Sequence, residues 1–500
     1  MSAQADGVRA GLITVSVMLA TIMQALDTTI ANVALPYMQG GLAATQEQVS
    51  WVLTSYIVAA AIMTPPTGIL AARFGRKRVF AVAVAGFTVA SMLCGAAASL
   101  GQMVTFRLLQ GVFGASLVPL SQAVLLDTYP REKHGSAMAV WGVGVMLGPI
   151  LGPTLGGWLT ETYDWRWVFY VNLPFGVLAL AGILLVLPET AKDLGRRFDV
   201  FGFALLSLAI GALQMMLDRG ENRDWFSSPE IVAEAVLAAL GLYLFLVHMF
   251  TADKPFIEPA LFRDRNLAVG LVLIFIIGVI LLATLSLLPP FLQRLMGYPV
   301  LTTGLALAPR GVGTMISMMA VGRLIGRVDT RLLILCGLSL VAASLWEMSG
   351  FTPDVTMATL VRTGVIQGLG LGLVFVPLST TAFSTLAPRF RAEGTAMFSL
   401  MRNIGSSIGI SVMTFLLART TQTVHAGLAA TITPFRPELA APWLPEAWSL
   451  HTPAGVIALN AEVTEQALTI AYLGDFTIMM WMTIAAAPLL LLLRPPRRMS

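Results

Sequence analysis

Charge is what this 500-residue sequence has least of. Only 12% of its residues are Asp, Glu, Lys or Arg against 56% hydrophobic ones, and the mean hydropathy is +0.79. An ordinary soluble enzyme carries about twice that charged fraction, so a sizeable water-exposed domain is excluded. Cysteine is nearly absent: Cys94 and Cys336 lie in apolar stretches 242 positions apart, which leaves neither a disulfide framework nor a CxxC redox or metal motif. The four histidines, His134, His248, His425 and His451, show no HExxH spacing, so no metal site is expected. None of the four lysines follows a glycine, so no Walker A loop can form and ATP-driven transport by this chain alone is out. No nucleophile with a base stands out, so an enzyme is not expected. The 31 basic and 27 acidic residues, net +4, are too evenly scattered for a nucleic-acid surface. No cleavable signal is evident, because the first apolar run contains Asp27 and continues as a full span.

Long apolar runs fill what remains. They fall near residues 11–33, 49–71, 79–98, 101–126, 136–159, 166–187, 200–217, 230–250, 267–291, 302–325, 330–350, 356–378, 394–418 and 470–493. This pattern predicts an all-α polytopic membrane protein with 14 transmembrane helices. With a cytoplasmic N-terminus, twenty-one basic residues fall on inner loops and tails, six on the outer side, and four (Arg107, Arg310, Arg362, Arg402) within spans. Both termini are therefore expected in the cytoplasm. One outer connection, residues 419–469, is long, and Pro434, Pro437, Pro442, Pro445 and Pro453 are expected to break any long helix there; an extracytoplasmic element is predicted.

The sequence also repeats itself. Residues 117–138 and 375–397 share VPLS, a later Pro-Arg and a closing Gly-Ser/Thr-Ala-Met, while GILAAR (68–73) matches GRLIGR (322–327) and LPYMQ (35–39) matches PPFLQ (289–293), both at an offset of 254. Two six-helix repeats with two extra helices between them account for that offset: residues 1–198, 199–262 and 263–500. The inserted pair is expected to pack or face lipid.

These residues resemble the major facilitator superfamily, and within it the fourteen-helix drug:proton antiporters of EmrB/QacA type. LDTTIANVALP (26–36) looks like that family's first-helix signature and WVLTSY (51–56) like the start of its second helix. GILAARFGRKR (68–78) resembles the loop motif between helices two and three, RLLQGVFGA (107–115) the fourth-helix motif centred on arginine, and GVMLGPILGPTLGG (144–157) the fifth-helix antiporter motif; PPFLQRLMGYPVLTTGLALAPRG (289–311) and QALTIAYLGDF (466–476) also read as fourteen-helix type. One departure stands out: Ala72 occupies the place where the loop motif usually has aspartate. A charge relay through that loop is not expected, whereas the basic cluster Arg73, Arg76, Lys77 and Arg78 can still grip helix C-terminal carbonyls and anionic lipid, and Arg73, Gly75 and Arg76 are expected to serve conformational change.

The resemblance implies a proton-coupled multidrug efflux antiporter in the bacterial inner membrane. It would export amphipathic or cationic small molecules by rocking between inward- and outward-open states, with no cofactor and the proton gradient as energy source. A dedicated exporter of one metabolite, such as a siderophore or antibiotic, and a non-transporting sensor are the alternatives. In a two-membrane organism it further implies a periplasmic adaptor protein and an outer-membrane channel, with residues 419–469 as a docking surface.

Charges within spans are costly, by about 2.5 to 3.5 kcal/mol each, and normally face a cavity or one another. Asp27 and Arg107 both come out roughly 9 Å below the outer ends of their helices, so the two can share a level. The offset maps Asp27 onto Leu281, while Arg107 has a near counterpart in Arg362. A carboxylate present in one half only is expected to serve coupling, with Asp27 as proton carrier and Arg107 as its partner. Gln24, Asn32, Tyr56, Gln110, Gln122, Trp141, Met146, Arg362, Gln367 and Phe375 are the candidate substrate-cavity residues. Arg310 and Arg402 are expected to bind carbonyls or carboxylates, and Asp475 to cap the outer mouth. Gly148, Pro149, Gly152, Pro153 and Gly156 are expected to let the fifth span pivot against an opposite-half partner, with Gly405 and Gly409 in span thirteen as the match.

Overall fold

The computed structural model describes residues 2–190, 192–193, 198–433, 448–450 and 452–494. Seventeen α-helices make up the described chain: α1 (Ser2–Gly41), α2 (Gln46–Met63), α3 (Thr67–Phe74), α4 (Arg76–Gly95), α5 (Leu100–Gly114), α6 (Leu117–Thr128), α7 (His134–Thr162), α8 (Trp167–Tyr170), α9 (Asn172–Val186), α10 (Val200–Arg219), α11 (Pro229–Thr251), α12 (Arg265–Pro290), α13 (Val300–Leu324), α14 (Thr330–Met348), α15 (Met357–Ser384), α16 (Arg391–Thr431) and α17 (Pro453–Ala486). No strand occurs among the described residues. Helix is the expected solution for a single-chain apolar segment, because it satisfies its backbone N–H and C=O groups internally where no water is available.

Among the described residues, thirteen helical spans are long and apolar enough to cross a membrane, and α2 with α3, bent by 56° at their break, makes a fourteenth. Local chemistry sets many of the ends. Thr45 and Gln48 form a capping box at α2, and Ser99, Asp264, Thr356 and Thr452 accept from the first turns of α5, α12, α15 and α17. Two expectations need correction. The first helix runs well beyond 11–33 at both ends. The long connection 419–469 is largely helical, since α16 continues to Thr431 and α17 begins at Pro453. Pro453 breaks nothing, because it sits in the first turn, where its missing N–H has no intrahelical partner to lose. His425 and Asn460 tie the two extensions together at 3.1 Å. Pro434, Arg436, Pro437, Pro442, Pro445 and His451 lie outside the described residues, as do Arg196, Arg197, Arg497 and Arg498.

The repeat is visible in the packing. Gly148 of α7 closes on the Ala25 carbonyl of α1, and Gly409 of α16 on the Val279 carbonyl of α12, 254 positions after Ala25. Between the two six-span halves, α10 packs on both: its Gly211 faces Ile62 of α2, Asp218 accepts from Thr54, and Gln214 donates to Ser407 of α16 at 2.6 Å. The outer neighbour α11 presents Val236, Leu240, Tyr243 and Phe250 outward, as a lipid-facing helix should.

Candidate functional site

In the first half, five helices converge on one carboxylate. Asp27 of α1 accepts from Arg107 Nη1 at 2.7 Å and Gln110 Nε2 at 2.8 Å, both from α5, and from Asn172 Nδ2 of α9 at 2.9 Å. Arg107 and Gln110 stand three apart on α5, so both reach the same point. The guanidinium is held from its other sides as well: Nε donates to the Val52 carbonyl of α2 at 3.0 Å, Nη1 also to Gln110 Oε1 at 2.7 Å, and the Tyr56 ring lies 4.3 Å from its central carbon. Asn172 donates in turn to Ser91 of α4 at 2.9 Å, and Ser91 to the Phe169 carbonyl at 2.9 Å. Asp27 and Arg107 are each 1% exposed. A buried pair is retained at such a site only when geometry and extra hydrogen bonds offset desolvation, and three donors on one carboxylate meet that condition.

At one end of the bundle the halves are fastened together. Asp127 of α6 accepts from Arg76, at the start of α4, and from Arg391 of α16 at 2.5 Å, so one carboxylate links both halves. Arg391 also reaches the Leu126 carbonyl, Arg76 the Ala123 carbonyl, and Lys77 the Leu184 carbonyl near the end of α9. The loop motif therefore does grip helix C-terminal carbonyls. Gly75 sits at φ +91° against Glu189, a conformation and a space that suit glycine. Arg73 lies 5.6 Å from the Phe74 ring. Toward the same end α7 meets α13: a methyl on Gly135 would stand 2.8 Å from Ile325, one on Gly142 2.7 Å from Met318, and one on Gly322 2.8 Å from Ala139. Further along, Gly157 and Gly304 have open space within 4 Å.

Residues 17–410 match the Major Facilitator Superfamily. The chain is 37% identical to the multidrug export protein EmrB of Escherichia coli K12 over 87% of its length and 86% of that protein's. It is 36% identical to the fatty acid resistance protein FarB of Neisseria gonorrhoeae, covering 97% and 96%. This chain belongs to the major facilitator superfamily, in its multidrug-export family. Solved structures agree in fold: the proton:xylose symporter XylE at TM-score 0.63 and 13% identity (97% of this chain, 95% of that one), and the human organic anion transporter MFSD10 at 0.59 and 16% (95% and 99%). It is a transporter and not an enzyme, and its multi-span architecture and relatives assign it to the bacterial inner membrane.

Within this major facilitator transporter the expected cavity residues separate into groups. Tyr56 and Gln110 belong to the charge pair, and Gln110 is consumed by it at both its oxygen and its nitrogen rather than left open to a substrate. Trp141 and Phe375 meet across the two halves, stacked at 5.8 Å, with Trp141 Nε1 donating to Ser121 at 2.7 Å. Gln122 and Gln367 are buried with neither amide atom hydrogen-bonded to protein, and Gln24 Oε1 is likewise unpartnered. Met146 is half-buried on α7, and Asn32 is exposed with a single long bond to its own helix. Arg362 is a correction: its side chain is 63% exposed and pairs with Glu347 of α14. Asp475 is another, since it is 1% exposed within the α17 packing rather than at a mouth.

The glycine expectation also needs revision. Gly148, Gly152 and Gly156 press on Ala25, Thr29 and Ile30 of α1, in their own half, and Gly405 and Gly409 press on Phe275 and Val279 of α12 in theirs. Across the halves α7 packs on α13 and meets α15 through Trp141 and Phe375, rather than packing on α16. Pro149 and Pro153 interrupt neither the helix nor this face. Asn172 and Ser91 escaped the sequence reading, though each is a polar residue inside an apolar run.

Proposed function

We propose that this transporter is a proton-coupled multidrug antiporter working by rocking-type alternating access. Asp27 carries the proton and Arg107 reports its protonation. The observation that carries this reading is the buried Asp27–Arg107 pair with its two amide donors, a constellation that the repeat does not duplicate: Leu281 occupies the matching position. Protonating Asp27 removes the charge that three N–H donors converge on and releases Arg107, which unties α1 from α5 and biases the half toward another packing.

By the positive-inside rule the fastened end with Arg76, Asp127 and Arg391 is cytoplasmic, so the arrangement described is the one closed inward. Substrates are amphipathic small molecules, taken up beside the Trp141–Phe375 stack. One pH unit is worth about 1.4 kcal/mol and one charge crossing 100 mV about 2.3 kcal/mol, enough together for export against a hundredfold gradient. The family resemblance adds a periplasmic adaptor, for which the paired ends of α16 and α17 are the candidate dock; trimming them to Arg419 and Glu465 should abolish adaptor co-purification.

The deciding experiment uses purified protein in liposomes with an imposed pH gradient, following internal pH as drugs are added. Wild type should release protons on drug addition, and Asp27→Asn should not, while remaining folded in the membrane. Full coupling in Asp27→Asn would overturn the reading.

A further inference from the structure

The two halves hold opposite kinds of group at corresponding positions. The 254-residue offset pairs α1 with α12 and α2 with α13, so Tyr56 corresponds to Arg310 and Asp27 to Leu281. Gln110-Gly111 recurs as Gln367-Gly368, which brings Gly364 to the position of Arg107. Packing supports this register: Gly111 closes on the Tyr56 carbonyl, and Gly368 closes on the Arg310 carbonyl.

In the first half the guanidinium comes from α5, lies over Tyr56 and faces a carboxylate. In the second it comes from the opposite wall, α13, and the facing position is Gly364, where an added methyl would sit 3.7 Å from the Arg310 Cβ. Leu281 stands where the acid would be and offers only its carbonyl, at 3.4 Å from Arg310 Nη2. Arg310 is 5% exposed, its Nη1 has no hydrogen-bond partner, and no ion pair to it is found among the described residues. Burying a guanidinium on one long hydrogen bond is unfavourable unless a further acceptor arrives.

The neighbouring helix carries the groups such an acceptor would meet. Thr363 and Gln367 stand one turn apart on α15, and about two turns further along Phe375 faces Trp141 of the other half. Gln367 and Thr363 are fully buried, and their amide and hydroxyl atoms have no partners. In contrast, Asp27 of the first half is already neutralised by Arg107.

The geometry points to Arg310, with Gln367 and Thr363, as the recognition site for the carboxylate of an amphipathic substrate, whose apolar body extends along α15 toward Phe375 and Trp141. A carboxylate offers two acceptor oxygens to Nη1 and the Gln367 amide, a match that a neutral or cationic head lacks. The assignment deepens the drug-export reading and rests on it for the transport role, but not for binding.

The test is therefore equilibrium binding without any gradient. Purified protein in lipid nanodiscs is titrated with radiolabelled 1-naphthylacetate by scintillation proximity, with competition by 2-(1-naphthyl)ethanol and 2-(1-naphthyl)ethylammonium. Wild type should bind the acid at least tenfold more tightly than the alcohol and more tightly still than the amine. Arg310→Gln should bring the acid to within twofold of the alcohol without changing alcohol binding, and Arg310→Lys should retain part of the preference. Should Arg310→Gln fail to fold, Gly364→Asp supplies the missing counter-charge from the facing wall and should erase the acid preference in the same way. A wild type that binds alcohol or amine as well as acid, or none of the three, overturns the site, as does an acid preference that survives Arg310→Gln or Gly364→Asp. Loss of proton coupling in Asp27→Asn liposomes leaves this outcome untouched, and the reverse holds too.

Discussion

Arg107 donates to Asp27 at 2.7 Å with 1% of either side chain exposed, and among the described residues the other groups hydrogen-bonded to the pair all come from the same half. Removing one partner of such a pair strands a buried charge, at a cost of about 3 to 5 kcal/mol. Removing both does not. Asp27→Asn and Arg107→Gln should each lower thermal stability in detergent, and the double variant should recover most of the loss. Coupling should stay absent in all three. A double variant that regained proton release on drug addition would reduce the pair to a structural clamp.

How much of this was legible in the sequence depends on which force set it. The spans follow from apolar composition, and the shared depth of Asp27 and Arg107 follows from helix rise, so both could be read directly. Asn172 and Ser91 could not, because a single amide or hydroxyl in an apolar run carries no motif and its partner is 81 residues away. Arg362 misled for a related reason. The offset brings it near Arg107, but the glycine packing sets the register at Gly364, and two residues turn a helix by about 200°. The extensions of α16 and α17 were hidden by proline content, since a proline in a first turn reads like a breaker although it begins a helix.

Glycine contacts give a sharper test of where α7 is locked. An added methyl on Gly148 falls within 2.5 to 2.7 Å of the Ala25 carbonyl carbon and Cβ, in backbone that has no freedom to move aside. Gly148→Ala should part α1 from α7 and lower both stability and transport, at about 1 to 3 kcal/mol for overpacking. Gly157→Ala meets nothing within 4 Å and should be neutral or slightly stabilising. Thermal unfolding and drug-efflux rates of the two variants, side by side, check this; equal effects would deny the tight approach.

The charge bridge between the halves governs conformation more than folding. Asp127 is one-third exposed, so each of its ion pairs is worth about 0 to 1 kcal/mol after screening. A shift of about 1 kcal/mol moves a two-state equilibrium roughly fivefold. Asp127→Asn should therefore populate a form in which this end opens. Spin labels at Lys133 and Arg327, which are exposed in opposite halves next to the Gly135–Ile325 contact, should gain a longer-distance population by double electron-electron resonance. An unchanged distance distribution would mean that α7–α13 packing alone holds the gate.

Asp199 offers a pH-dependent test outside the spans. Burial pushes its carboxyl up, but the Gly202 N–H at 2.9 Å, His248 at 2.8 Å and the Phe256 N–H at 3.0 Å outweigh burial and hold it below the ordinary carboxylate range. A folded-state value below the unfolded one stabilises the protein above the unfolded value, about 3.9, and that contribution fades as pH falls through the lower folded value. Asp199→Asn keeps an oxygen for the α10 cap at Gly202 but replaces Oδ2, which accepts from His248 and the Phe256 N–H, with an NH2 donor, so it removes the charge together with one acceptor. It should cost about 1 to 3 kcal/mol at pH 7, the range for losing hydrogen bonds to a charged acceptor, and the gap from wild type should narrow as pH falls below 4. Thermal unfolding of both proteins at pH 7 and pH 3.5 measures it. A gap that stays constant between the two would show that the amide fails to hold α10, α11 and the Phe256 turn together for reasons of shape, with the charge contributing nothing.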